Sequence, residues 1–87
     1  MNEIPKRTLI LTSSDGEVKF SPYAFCLEAQ GGDVTFTTLL ENYGGENAVA
    51  AQAEDGTLGE GKRLYGRYVT IEVDSGTLLC YEKDNIN

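Results

Sequence analysis

The sequence predicts a mostly β domain, a small antiparallel β-sandwich or barrel with at most one short helix. Apolar and polar residues alternate with period two more often than they recur at helical spacing. The alternating runs are rich in β-branched and aromatic residues, which favour a pleated, half-buried surface. Turn signals containing Gly, Asp, Asn or Ser separate the runs at intervals of about 8–12 residues, the spacing of small all-β folds. Eighty-seven residues hold one such domain and no second core.

In chain order, Met1–Arg7 is a polar arm and Thr8–Thr12 a short β-branched run. Ser13-Ser14-Asp15-Gly16 is a turn signal, and Glu17–Phe20 then places Val18 and Phe20 on one face. These pieces predict a first hairpin, ended by Ser21-Pro22 because proline has no amide to donate to a ladder. Tyr23–Glu28 and Val34–Leu40 flank Gly31-Gly32 and predict a second hairpin, with Val34, Phe36 and Thr38 sharing a face. Glu41–Glu46 is a polar loop. Asn47–Asp55 has helix composition with Asn47 as an N-cap and Gly56 as a stop, yet is short enough to be extended instead. Leu64–Val73 turns Val69, Ile71 and Val73 one way and Tyr68, Thr70 and Glu72 the other, with Gly66 marking a bulge or a close backbone approach. Asp74-Ser75-Gly76 and Thr77–Glu82 complete a third predicted hairpin. The organisation is thus an arm over 1–7, one β domain over 8–82 and a frayed tail over 83–87.

Composition narrows the function. The net charge is −7, and the seven basic residues (Lys6, Arg7, Lys19, Lys62, Arg63, Arg67, Lys83) are scattered, which disfavours nucleic-acid binding through phosphates. No apolar run approaches a membrane span of about 20 residues, so no membrane partner is expected. Leu9–Leu11 is also too short for the core of a signal peptide, so synthesis in the cytoplasm is expected. Cys26 and Cys80 both lie in apolar runs and read as buried thiols, with a disulfide between them left open.

Little in the chain can do chemistry. Gly56-Thr57-Leu58-Gly59-Glu60-Gly61-Lys62-Arg63 fits the phosphate-cradling loop except at its end, where Arg63 stands in place of the hydroxyl that binds Mg²⁺. That loop must also open a helix, whereas RLYGRYVTIEV reads as strand. The chain has no histidine, which removes His-based triads and the commonest zinc sites. The fourteen carboxylates are spread over turns and strand exteriors and fit no calcium loop. No catalytic residue, metal ligand or cofactor is expected, and the chain reads as a structural or binding protein and not an enzyme. Tyr65, Arg67 and Tyr68 are of the types enriched at protein interfaces, although tyrosines also cover small cores.

From Ala24 onward the order of features resembles small β-rich structural proteins of tailed bacteriophages, of the capsid decoration, cement or head-fibre type. There a glycine-rich loop leads into a G-x-x-x-Y-G-R segment, an alternating strand, an S-G turn and a last apolar strand. Here these stand as EGKRLYGRYVTIEV and DSGTLLCYE, and SPYAFCLEAQGGDVTFTTL is similar to the opening strands. The alanine-rich NAVAAQAED and the strong acidity depart from that pattern. The resemblance implies a structural virion protein on the capsid surface that stabilises a phage head by binding between shell subunits. Its partners would be the major capsid protein or another virion protein, and copies of itself as a homotrimer. The docking candidates are Ile4, Pro5, Lys6 and Arg7 of the arm, and the self-association candidates are Tyr65, Arg67 and Tyr68. Two other readings stand beside it: an acidic, DNA-mimicking inhibitor of a host defence nuclease, and a tail or baseplate component.

Overall fold

The alternating runs form strands, as their composition dictates, but the strands are longer and pair differently than local turn signals suggest. The computed structural model describes residues 5–41 and 57–84. They contain β1 (Pro5–Leu11), a single 3₁₀ turn (Ser13–Asp15), β2 (Glu17–Glu41), β3 (Thr57–Leu58) and β4 (Arg63–Lys83). All four strands lie in one antiparallel sheet in the order β1-β4-β2-β3. The fold is therefore mostly β, with no α-helix among the described residues. The candidate helix over 47–55 lies outside them.

Pairing between β2 and β4 defines the shape. Leu27 of β2 lies opposite Leu64 on one side and Cys80 on the other, so the two halves of β4 flank the first half of β2. Ile71 of β4 lies opposite both Val18 and Leu39, so the two halves of β2 likewise flank β4. Two long strands can do this only by coiling around one another, which curls the sheet toward a barrel. The concave side holds one core in which Leu27, Val34, Leu39, Tyr68, Ile71 and Leu78 are fully buried.

This pairing overturns the three predicted hairpins. A strand has two hydrogen-bonding edges, and β4 occupies both edges of β2 over 24–28, leaving none for 35–41. Likewise Leu78–Glu82 has β1 on one edge and β2 on the other, so it cannot fold back on 69–73. β1 pairs with β4 and not with Glu17–Phe20. Gly16, Gly31 and Gly76 do have positive φ, so the chain bends where the sequence places its turns. It bends without doubling back. At the first bend the Asp15 carboxylate accepts the Thr12 amide at 2.8 Å, and the Asp15 amide donates to the Thr12 carbonyl at 3.1 Å.

Two bulges shift which residues face inward. Phe36 lies opposite Val73 and Thr38 opposite Glu72, leaving Thr37 as the extra residue. Leu39 consequently enters the core, and Thr38 is only half-buried. On β4, Tyr68 and Thr70 lie opposite Glu41 and Leu40, with Val69 extra. Tyr68 and Thr70 are buried together with Ile71 and Val73, while Val69 is half-buried. The predicted inward set holds for Ile71 and Val73 and fails for Val69. The domain also begins before residue 8, because Pro5–Arg7 is already strand, and Lys83 of the expected tail still belongs to β4.

Candidate functional site

Register places a band of residues on the convex side of the sheet. One row runs Thr8, Tyr81, Cys26, Tyr65 across β1, β4, β2 and β4 again; the next runs Ile10, Leu79, Glu28, Arg63. The alternate rows, such as Leu9, Cys80, Leu27 and Leu64, face the core. The convex band is unusually apolar for an outer face. Tyr65 is 66% exposed and Ile10 62% exposed, the two large hydrophobic residues that stand out among those described. Phe25 lies beside Tyr81 with ring centroids 6.2 Å apart. Charged groups edge the band: Arg63 Nε donates to Glu28 Oε1 at 2.8 Å, and Arg67 stands over the Tyr23 ring, 5.7 Å from its centroid. Tyr65 and Glu28 push the Arg63 pKa further up, so its guanidinium stays charged.

Cys26 sits within this band yet is buried beneath it. Burial pushes its pKa up, the Arg63 charge and the Tyr65 hydroxyl pull it down, and Glu28 adds to the rise. The net rise keeps Cys26 a thiol, the unreactive form. Cys80 is in the core, and burial foremost, then the neighbouring Cys26, raises its pKa as well. Both cysteines are free, which answers the open question of pairing.

The predicted interface residues separate. Tyr65 and Arg67 are on the convex surface. Tyr68 is a correction: it is completely buried, its ring lying over the Gly66 backbone and its hydroxyl near the Tyr65 carbonyl at 3.5 Å. Buried there, it offers no surface to a partner and instead holds the Tyr65–Arg67 segment in place. A Cβ at residue 66 would fall 2.9 Å from the Tyr68 ring carbon Cζ and hydroxyl. Gly66→Ala should therefore displace Tyr68 and lower stability by about 1–3 kcal/mol, read from a denaturant titration. Tyr68→Leu in the same background should recover part of that loss.

Two of the arm residues, Lys6 and Arg7, bond within the chain. Glu82 is 1% exposed, and its carboxylate accepts Arg7 Nε and the Ser21 amide, the latter at 2.9 Å. Lys6 Nζ donates to the Ser21 carbonyl at 2.7 Å and stands 3.7 Å from Glu82. Lys6 and Arg7 thus tie β1 to β2 and β4, while both side chains keep part of their surface in water. Ile4 lies outside the described residues, and Pro5 begins β1. Sequence reasoning missed Glu82, because a carboxylate near the end of an apolar strand looks like surface until its partners are known. Ile10 was missed for the opposite reason, since TLIL reads as core on both faces.

The glycine-rich loop is also accounted for. Its amides donate inward, Glu60 to Asp33 Oδ1 at 2.9 Å, Gly61 to the Ala29 carbonyl at 2.9 Å and Lys62 to the Gly59 carbonyl at 3.0 Å. It then opens strand β4 and not a helix. Among the described residues no group of His, Cys, Asp or Glu has the arrangement of a metal site, and no helix is long and apolar enough to cross a membrane. No protein-family model, curated protein or solved structure matches this chain.

Proposed function

We propose that this chain is a structural protein of a virus particle, a decoration or cement protein that docks on a phage head through the convex band. The observation that carries the docking half is the exposed Tyr65 and Ile10 on one continuous outer face with Leu79, Tyr81 and Phe25. An aromatic and aliphatic centre edged by Arg and Glu is the composition of an interface core and its rim. The particle address rests on the resemblance of EGKRLYGRYVTIEV and DSGTLLCYE to phage structural proteins. The mechanism is mechanical. Each bound copy buries surface only in the assembled shell, so occupancy stabilises that state by mass action.

The test is co-sedimentation of the purified chain with undecorated phage heads and, separately, with tails. Saturable binding to heads is expected, and Tyr65→Ala should weaken it by about tenfold or more, the loss of one interface tyrosine. Binding to tails alone would move the protein to the baseplate reading. Binding to neither would remove the particle reading.

A further inference from the structure

The edge of β1, at the margin of the convex band, offers a second kind of contact through its backbone. β1 pairs with β4 through one edge, and among the described residues no strand pairs with its other edge. Sheet edges in natural proteins are blunted by proline, bulges or lysine. β1 has such devices only at its start, where Pro5, Lys6 and the register shift before Arg7 lie. From Arg7 to Leu11 the register runs without a slip, and Thr8-Leu9-Ile10-Leu11 carries no charge. The outward side chain in the middle of this edge is Ile10, left mostly in water.

We infer that a second copy of this chain pairs with that edge, β1 against β1 in antiparallel register about a two-fold axis near Leu9. Charge placement selects this occupant. Lys6 and Arg7 lie at one end of β1, and Asp15 lies in the turn just past the other. Two-fold antiparallel pairing brings the basic end of each strand beside the Asp15 turn of its partner, so both ends are complementary at once. It places Ile10 of each copy opposite Thr8 of the other and covers part of both isoleucines. The backbone groups of the edge gain partners in the same step, as in any strand addition. A parallel arrangement would set Lys6 and Arg7 against their own copies. The contact is two-fold, not the three-fold assembly that the phage resemblance implies; it shares Ile10 with the convex band but not Tyr65, so Tyr65→Ala separates the two readings.

The experiment is light scattering on the full chain across the micromolar to millimolar range, with Ile10→Lys, Thr8→Lys and Tyr65→Ala beside the wild type. The expected result is a concentration-dependent twofold rise in mass for the wild type and Tyr65→Ala, and its loss in both lysine variants. Thermal melts of the lysine variants at low concentration, matching the wild type, separate a lost contact from a lost fold, since both side chains are exposed. A wild type that remains monomeric, one that forms a trimer, or a dimer that persists in Ile10→Lys overturns the inference.

Discussion

Gly76→Ala is expected to remove much of the protein's stability, about 2–6 kcal/mol. Gly76 has φ +91°, a conformation that costs an L side chain about 1–3 kcal/mol. A Cβ there would also lie 2.3 Å from the Asp33 carbonyl oxygen and 3.0 Å from the Val34 Cα. Those are backbone atoms of the stretch where β2 bends, so no flexible side chain can move aside. Shifting them would cost a further ~1–3 kcal/mol and disturb Val34, which is fully buried. A chain of this length has only about 5 kcal/mol to lose. Gly16→Ala is the control: its φ is +67°, but nothing lies within 4 Å of the added atom. With ψ at −151° it should cost about 1–3 kcal/mol, the backbone conformation alone. Urea titrations of the two variants should therefore differ sharply, and equal midpoints would show that the close approach at Gly76 is not rigid.

Glu82→Ala is expected to cost about 2 kcal/mol at neutral pH, because the Ser21 amide loses its acceptor and Arg7 loses its partner. The cost stays below the ~3–5 kcal/mol of a broken, fully buried pair because Arg7 is half exposed and can turn to water. The pH dependence has a definite sign. Burial acts to raise the Glu82 pKa, but the Arg7 and Ser21 hydrogen bonds and the Arg7 and Lys6 charges together outweigh it and hold the carboxyl below its usual range. A carboxyl depressed in the fold binds protons more readily when unfolded, so its contribution is complete above the ordinary value of about 4.3. It is lost as the pH falls through the lower folded value. Melting wild type and Glu82→Gln side by side should show a gap at pH 7 that closes in acid below about pH 4. A gap that persists in acid would mean that shape, and not charge, makes the contact. The same geometry means that deleting Met1–Arg7 removes both basic partners of Glu82, so that truncation would report on stability before it reported on docking.

The strands were legible in the sequence because alternation and β-branching act locally, and the glycines at 16, 31 and 76 do mark bends. Which strands would meet was not legible. A positive-φ glycine serves a hairpin and a continuing bend equally well, and the choice depends on residues far along the chain. Leu27 and Ile71 show this: each has two β partners, one in each half of the opposite strand, and nothing within ten residues of either specifies them. The inward phase failed at Val69 and at Thr38 because single-residue bulges reset a period of two without any proline or glycine to announce them. Tyr68 carried a readable signal that went unused. Gly66 lies two residues before it, on the same face of the strand, where a missing side chain leaves room for a ring. Tyr65 was found from its type alone, whereas Ile10 and Glu82 needed the register to be seen as exposed and buried.

The partner that β1 does have, Leu78–Lys83, carries a consequence for how the chain is made. On a ribosome, Pro5–Leu11 must wait until residue 83 has emerged before its own sheet can take it in. Among the described residues no local hairpin can form early and nearly every rung joins distant segments, a pattern that folds slowly. During the wait the Thr8–Leu11 segment has two open edges instead of one, when neighbouring nascent chains are nearest. Premature termination before residue 78 would make that state permanent, so such fragments should accumulate as aggregates and not as soluble peptides.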